Sequence, residues 1–131
     1  MTQKARQRNM LGHLSLGVRE LERTTRFYDA ALAPLGYVRV WTSERGIGFG
    51  EGHGDERLTL FVRPDAAAPG PGFHLAFDAA TQAAVDAFHQ AALQAGGSDA
   101  GPPGLRPHYG ATYYAAFVLD PDGHKLEAVH Q

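Results

Sequence analysis

The chain has 131 residues, 44% of them apolar and 20% charged, which are the size and proportions of one ordinary globular domain. It has no cysteine, so disulfides, thiolate ligands and a thiol nucleophile are excluded, and any metal site must draw on His, Asp, Glu, Tyr or backbone oxygen. The net charge is -2; apart from Lys4, Arg6 and Arg8, nine basic residues face 14 acidic ones, leaving -5 for the remainder. A body that acidic is a poor match for nucleic acid.

No run of about 18 apolar residues is present, which argues against a membrane span. The basic start lacks a following apolar region, so it does not read as a secretory leader, and cytoplasmic localisation is expected. Residues 1–9 read as a flexible basic tail, with Met10 as a candidate natural start.

In chain order, residues 12–18 (GHLSLGV) alternate, with Leu14, Leu16 and Val18 on one face and His13, Ser15 and Gly17 on the other. That is a half-buried strand. Residues 21–35 carry Leu21, Thr24, Phe27, Tyr28, Ala31, Leu32 and Leu35 at spacings of three and four, which predicts an amphipathic helix. Pro34 loosens its last turn and Gly36 closes it. Residues 37–42 (YVRVWT) read as a strand, 46–50 as a short glycine-diluted strand, 52–55 as a turn and 57–63 (RLTLFVR) as an alternating strand. Residues 64–72, with three prolines, form a linker.

The pattern then begins again. Residues 73–78 (FHLAFD) predict a strand and residues 81–95 an alanine-rich helix with Thr81 as N-cap, ended by Gly96 and Gly97. Residues 101–111 (GPPGLRPHYGA) read as a long loop and residues 111–119 as a strand. Asp120-Pro121-Asp122-Gly123 is a tight turn into a last strand over 125–129.

This is an internal repeat. His13 and His74 are 61 residues apart, as are Gly36 and Gly97, and Arg57-Leu58-Thr59-Leu60 aligns over Lys125-Leu126-Glu127-Ala128. The expected fold is α+β: two βαβββ units, about 10–63 and 73–131, forming a curved mixed sheet around a cleft with helices on the outer face.

Side-chain parity then brings candidates together. His13, Ser15, His74, Thr59, Phe61 and Glu127 all fall opposite the apolar, helix-covered face. Two imidazoles and one carboxylate make a facial set for a divalent ion, leaving positions open for substrate. A carboxylate in an otherwise apolar strand also needs such a partner. His53 and His124 sit in turns, His89 on a helix and His130 near the end, and each reads as solvated.

The motifs His13 in GHLSLGV, RFYDAALAPLGY (26–37), His74 in GFHLAF and DPDGHKLEAV (120–129) resemble those of the vicinal oxygen chelate superfamily. That group includes glyoxalases, extradiol dioxygenases, fosfomycin-resistance transferases and bleomycin-resistance proteins. The resemblance implies metal ligands at His13, His74 and Glu127, a divalent ion (Fe, Mn, Ni or Zn), a small-molecule substrate chelated through adjacent oxygens, and a homodimer. It implies dioxygenase-like or lyase/transferase-like chemistry. Glyoxalase-type lyases add a fourth ligand, Glu or Gln, where this chain has Thr59.

The loop 101–111 reads as the mouth of the cleft. It offers His108, Tyr109 and Tyr114 as acid–base groups, with Tyr113 beside them, and Arg106 as an anion anchor. Ser15, Thr59 and Phe61 would line the substrate. The rival reading is a dimer that sequesters an aromatic or cationic small molecule without metal, through Trp41, Phe61 and the tyrosines.

Overall fold

The computed structural model describes residues 8–52 and 55–131. Most of the expected basic tail (residues 1–7) and the turn histidine His53 lie outside these residues.

Among the described residues, β1 (Leu14–Val18), α1 (Leu21–Leu32), β2 (Val38–Thr42), β3 (Gly46–Gly50) and β4 (Glu56–Val62) form the first unit. β5 (Leu75–Asp78), α2 (Gln82–Gln94), β6 (Ser98–Leu105), β7 (Tyr114–Leu119) and β8 (Lys125–His130) form the second. Each unit builds a four-stranded mixed sheet, ordered β1-β4-β3-β2 and β5-β8-β7-β6. The first strand of each unit runs parallel to the last, with Ser15 opposite Thr59 and Ala76 opposite Glu127. The repeat alignment read from sequence is therefore the structural one.

The helices hold the two halves together. Phe27, Tyr28, Ala31 and Leu32 of α1 and Val85, Phe88 and Ala92 of α2 are buried in one core shared by both units. α1 and α2 pack on each other, and α2 also packs on β6, β7 and β8. The helices thus lie between the two sheets, whose opposite, curved faces are turned outward.

The helix ends follow local chemistry. After Leu32 the chain tightens into a 3₁₀ turn over Ala33–Leu35, where Pro34 removes a helical donor. Gly36, at φ 86°, donates its N–H to the Ala33 carbonyl. Thr81 caps α2 by accepting the Ala84 N–H at 3.0 Å. At its far end Gly96 adopts φ 105° and the Gly97 N–H reaches the Ala92 carbonyl at 2.9 Å, a Schellman closure.

One element corrects the sequence reading. Residues 98–105 are strand β6 and not part of a loop. Pro102 and Pro103 are accommodated because β6 is the outer strand of its sheet and its register with β7 slips between Gly101 and Gly104. The true mouth segment is the shorter turn over 106–113.

Candidate functional site

On the outward face of the second sheet, the register of β5, β8 and β7 sets Ala76, Glu127 and Phe117 in one row. His74 just precedes β5 and Tyr113 just precedes β7, so both flank this row. The Glu127 Oε1 meets His74 Nε2 at 2.9 Å, and its Oε2 accepts from the Tyr113 hydroxyl at 2.5 Å. Glu127 is 1% exposed, whereas the His74 side chain is 44% exposed. Burial, and then the hydrogen bond to Glu127, push the Tyr113 phenol up to about 12. Tyr113 therefore stays protonated and keeps donating at any physiological pH.

Around this pair, the His74 ring meets Phe117 edge-on at 5.7 Å. The Lys125 ammonium and Arg106 guanidinium sit over the same Phe117 ring at 5.1 and 5.6 Å. Arg106 is held there by the carbonyls of Gly104 and Pro102, at 2.9 and 2.7 Å.

The candidates at the mouth divide. His108 stacks on Tyr109 at 4.2 Å and Tyr109 on Tyr113 at 5.1 Å, with Tyr109 largely exposed at the rim. Tyr114 is not brought to the site: strand alternation turns it to the helix side, where its hydroxyl donates to Asp86 of α2 at 2.6 Å. Tyr113, which lies outside the regular strand, is the phenol that reaches Glu127.

His13 is exposed at the start of β1, on the first sheet. Among the described residues no three His, Asp or Glu side chains come together closely enough to hold a metal ion. His74 and Glu127 are thus brought together within one chain and His13 is not. These two donors do fit a divalent ion. Octahedral binding at about 2.1 Å sets neighbouring donors roughly 3 Å apart, which matches their 2.9 Å separation. A buried carboxylate also suits a cation.

The first sheet presents a different face. Two register shifts, between Arg39 and Trp41 in β2 and opposite Phe49–Gly50 in β4, turn Trp41 and Glu56 to the same side as Thr59. There a Cβ on Gly48 would collide with Trp41 Nε1 and Glu56 Oε2. Phe61 packs against Trp41 at 6.1 Å and is 43% exposed. Thr59 is 2% exposed and its Oγ1 has no hydrogen-bond partner among the described residues. Ser15 is its exposed neighbour on β1. Sequence alternation put Thr59, Phe61 and Ser15 in one cleft with His74 and Glu127, whereas the structure sets them on the first sheet; Glu56 was missed because a bulge shifts parity without leaving a residue-type signal.

The reading of His124, His89 and His130 as solvated is corrected. His124 is 2% exposed, and its Nδ1 donates to Asp120 Oδ2 at 2.8 Å, the same oxygen that accepts the buried Tyr28 hydroxyl at 2.5 Å. His89 pairs with Asp99 at 2.8 Å and His130 with the Ala79 carbonyl at 3.0 Å. A cavity of about 260 Å³ between the halves, lined by Leu32, Tyr37, Phe49, Arg57, Phe77 and Asp78 among others, includes none of the predicted site residues.

Comparison with known proteins bears on the family and the fold. The profile of the Glyoxalase/Bleomycin resistance protein/Dioxygenase superfamily matches residues 10–128. A glyoxalase/bleomycin resistance protein from Albidiferax ferrireducens T118 is similar at 31% identity, with 94% of this chain and 99% of that one covered and a TM-score of 0.80. A putative glyoxalase from Bacillus halodurans shares 28% identity over 93% and 96% of the two chains, at TM-score 0.69. The fosfomycin resistance protein FosX from Mesorhizobium loti, at 21% identity, 95% and 94% coverage and TM-score 0.67, shares the fold. No curated protein gives a significant match.

Proposed function

The chain belongs to the glyoxalase/bleomycin resistance protein/dioxygenase superfamily, and from that premise we propose that it is a divalent-metal-dependent enzyme acting on a small molecule with two adjacent oxygens. The observation that carries this reading is the His74–Glu127 pair, whose ring nitrogen and carboxylate oxygen lie 2.9 Å apart, with the carboxylate buried and the imidazole exposed. Bound there, a divalent ion supplies Lewis acidity to the substrate's oxygens. His74 and Glu127 would hold it. Tyr113 occupies Glu127 Oε2 and so leaves Oε1 as the ligand. Arg106, fixed over Phe117, anchors a negatively charged substrate group. His108 and Tyr109 close the rim over Tyr113.

The third ligand is His13 of a second copy. Among the described residues β1 and β5 each pair with only one strand. A two-fold dimer that sets β1 of one copy beside β5 of the other covers both edges and completes both sites.

The test is metal content by plasma mass spectrometry on protein purified without chelators, wild type beside Glu127→Ala. About one equivalent per chain is expected in the wild type, with affinity at least about tenfold weaker in the variant. Iron assigns the dioxygenase-like branch, and manganese, nickel or zinc the lyase- or transferase-like one. Wild type that takes up no metal even on reconstitution overturns the proposal.

A further inference from the structure

We propose that residues 9–12 of one copy form an arm that lies along the uncovered edge of β5 in a second copy, with Met10 filling that copy's cavity between its halves. This arm extends the shared-site dimer proposed above and rests on that reading.

Knob and hole are both present on this chain. Met10 is 96% and Leu11 53% exposed, two large apolar side chains in succession just before β1. The segment is held in place, because Arg57 Nη1 donates to the Gly12 carbonyl at 3.0 Å. Arg57 also lines the cavity of about 260 Å³, together with Leu32, Tyr37, Phe49 and Phe77. An exposed apolar knob beside an apolar hole on one surface is self-complementary, and a two-fold axis seats each knob in the other copy's hole. The cavity also borders Ala76, Phe77 and Asp78, the end of β5, and β5 is hydrogen-bonded to β8 alone among the described strands. An open edge of this kind accepts a further strand.

The shared metal site fixes how the arm lies. His13 of the second copy must come opposite His74, the equivalent position of the repeat. Of the two strand directions, only the antiparallel one carries the residues before His13 along β5, where Met10 and Leu11 lose their exposure. Each step back from His13 is then a step forward from His74, so Leu11 falls beside Ala76 and Met10 beside Phe77. Opposed residues share a face of the sheet. Ala76 stands in the outward row of Glu127, and Phe77 lies opposite the buried Ala128. Leu11 therefore extends the outward wall, and Met10 points to the side of the cavity. Arg8, exposed two residues earlier on the Met10 face, reaches the exposed carboxylates of Glu51 and Asp78 at the cavity's mouth, a match of opposite charge at the rim.

The chain has no cysteine, so introduced thiols report the contact alone. Leu11→Cys and Ala76→Cys are made separately, mixed by joint unfolding and refolding, and oxidised with diamide. Directly opposed strand residues lie within disulfide reach, and a covalent dimer is expected from the mixture and not from either variant by itself. In the double variant Leu11→Cys/Ala76→Cys the link is expected between chains. Met10→Ser is expected to raise the dimer dissociation constant in sedimentation at least about tenfold, with far-UV circular dichroism unchanged. A link confined within one chain, a dimeric mixture that forms no link, a Met10→Ser dimer as tight as the wild type, or a monomeric wild type each overturns the proposal. Metal content of the same preparations keeps the two readings apart. Full metal uptake without the link overturns the arm alone, and the link without any metal uptake overturns the metal reading alone.

Discussion

Asp120 is a residue on which the two halves meet. Its Oδ1 accepts the backbone N–H groups of Asp122 and His124, and its Oδ2 accepts from Tyr28 and His124. Burial pushes the Asp120 carboxyl up, but the hydrogen bonds from His124 and Tyr28 outweigh it and hold it below its ordinary value. Burial pulls His124 down, yet the hydrogen bond and charge of Asp120 leave it raised. A depressed carboxyl contributes stability above its unfolded value near 4 that is lost as pH falls through its folded value. A raised imidazole contributes stability that is full below its unfolded value of about 6.5 and lost as pH rises through its folded one. This cluster is therefore expected to be most stabilising between roughly pH 4 and 6.5, and urea unfolding across pH 4 to 9 tests it. Asp120→Ala should flatten both limbs and cost about 3 kcal/mol, since it strands a buried phenol and imidazole. Residue by residue, the sequence made His74 and Glu127 legible because strand alternation assigns faces by counting. It hid His124, because a histidine three residues past a proline in a turn reads as solvated until Tyr28 of α1 is seen above it.

At the scale of elements, glycine positions decide how closely helices and strands approach. A Cβ on Gly97 would lie 2.7 Å from the Phe27 ring, and 2.9 Å from each of the Ala92 and Leu119 carbonyls. Gly97→Ala should thus wedge α2 away from β7 and from the first half, at a cost of about 2 kcal/mol, read as a lower denaturation midpoint with an unchanged m-value. Helix boundaries were legible because Thr81, Pro34, Gly36 and Gly96 act through local backbone geometry. Strand β6 was not, because Gly-Pro-Pro-Gly is a loop signal everywhere except on an outer strand with a slipped register. The two bulges that turn Trp41 and Glu56 outward were equally invisible, since a bulge is a relation between strands and not a property of either.

For the whole molecule, the sequence repeat disclosed two βαβββ units but not how copies of the chain meet, because that depends on which edges stay uncovered. If His13 of one copy completes the His74–Glu127 pair of another, two inactive variants must rescue each other. His13→Ala and Glu127→Ala, each metal-poor alone, should regain about half of the wild-type metal per mixed dimer after joint unfolding and refolding, since one of its two sites is then intact. Sedimentation of the wild type as a monomer at micromolar concentration, or failure of the mixture to regain metal, would sink the shared site.

The Tyr28–Asp120–His124 cluster also ends the kinship of the halves. The 61-residue offset that matches His13 to His74 sets His89 in the place of Tyr28, and His89 pairs with Asp99 of its own half. Tyr28 reaches across instead, and at the position aligned with Asp120 the first half carries Gly52. A chain built as two versions of one unit has here acquired a direction. Join two copies of either half, and the phenol or its acceptor is left without a counterpart.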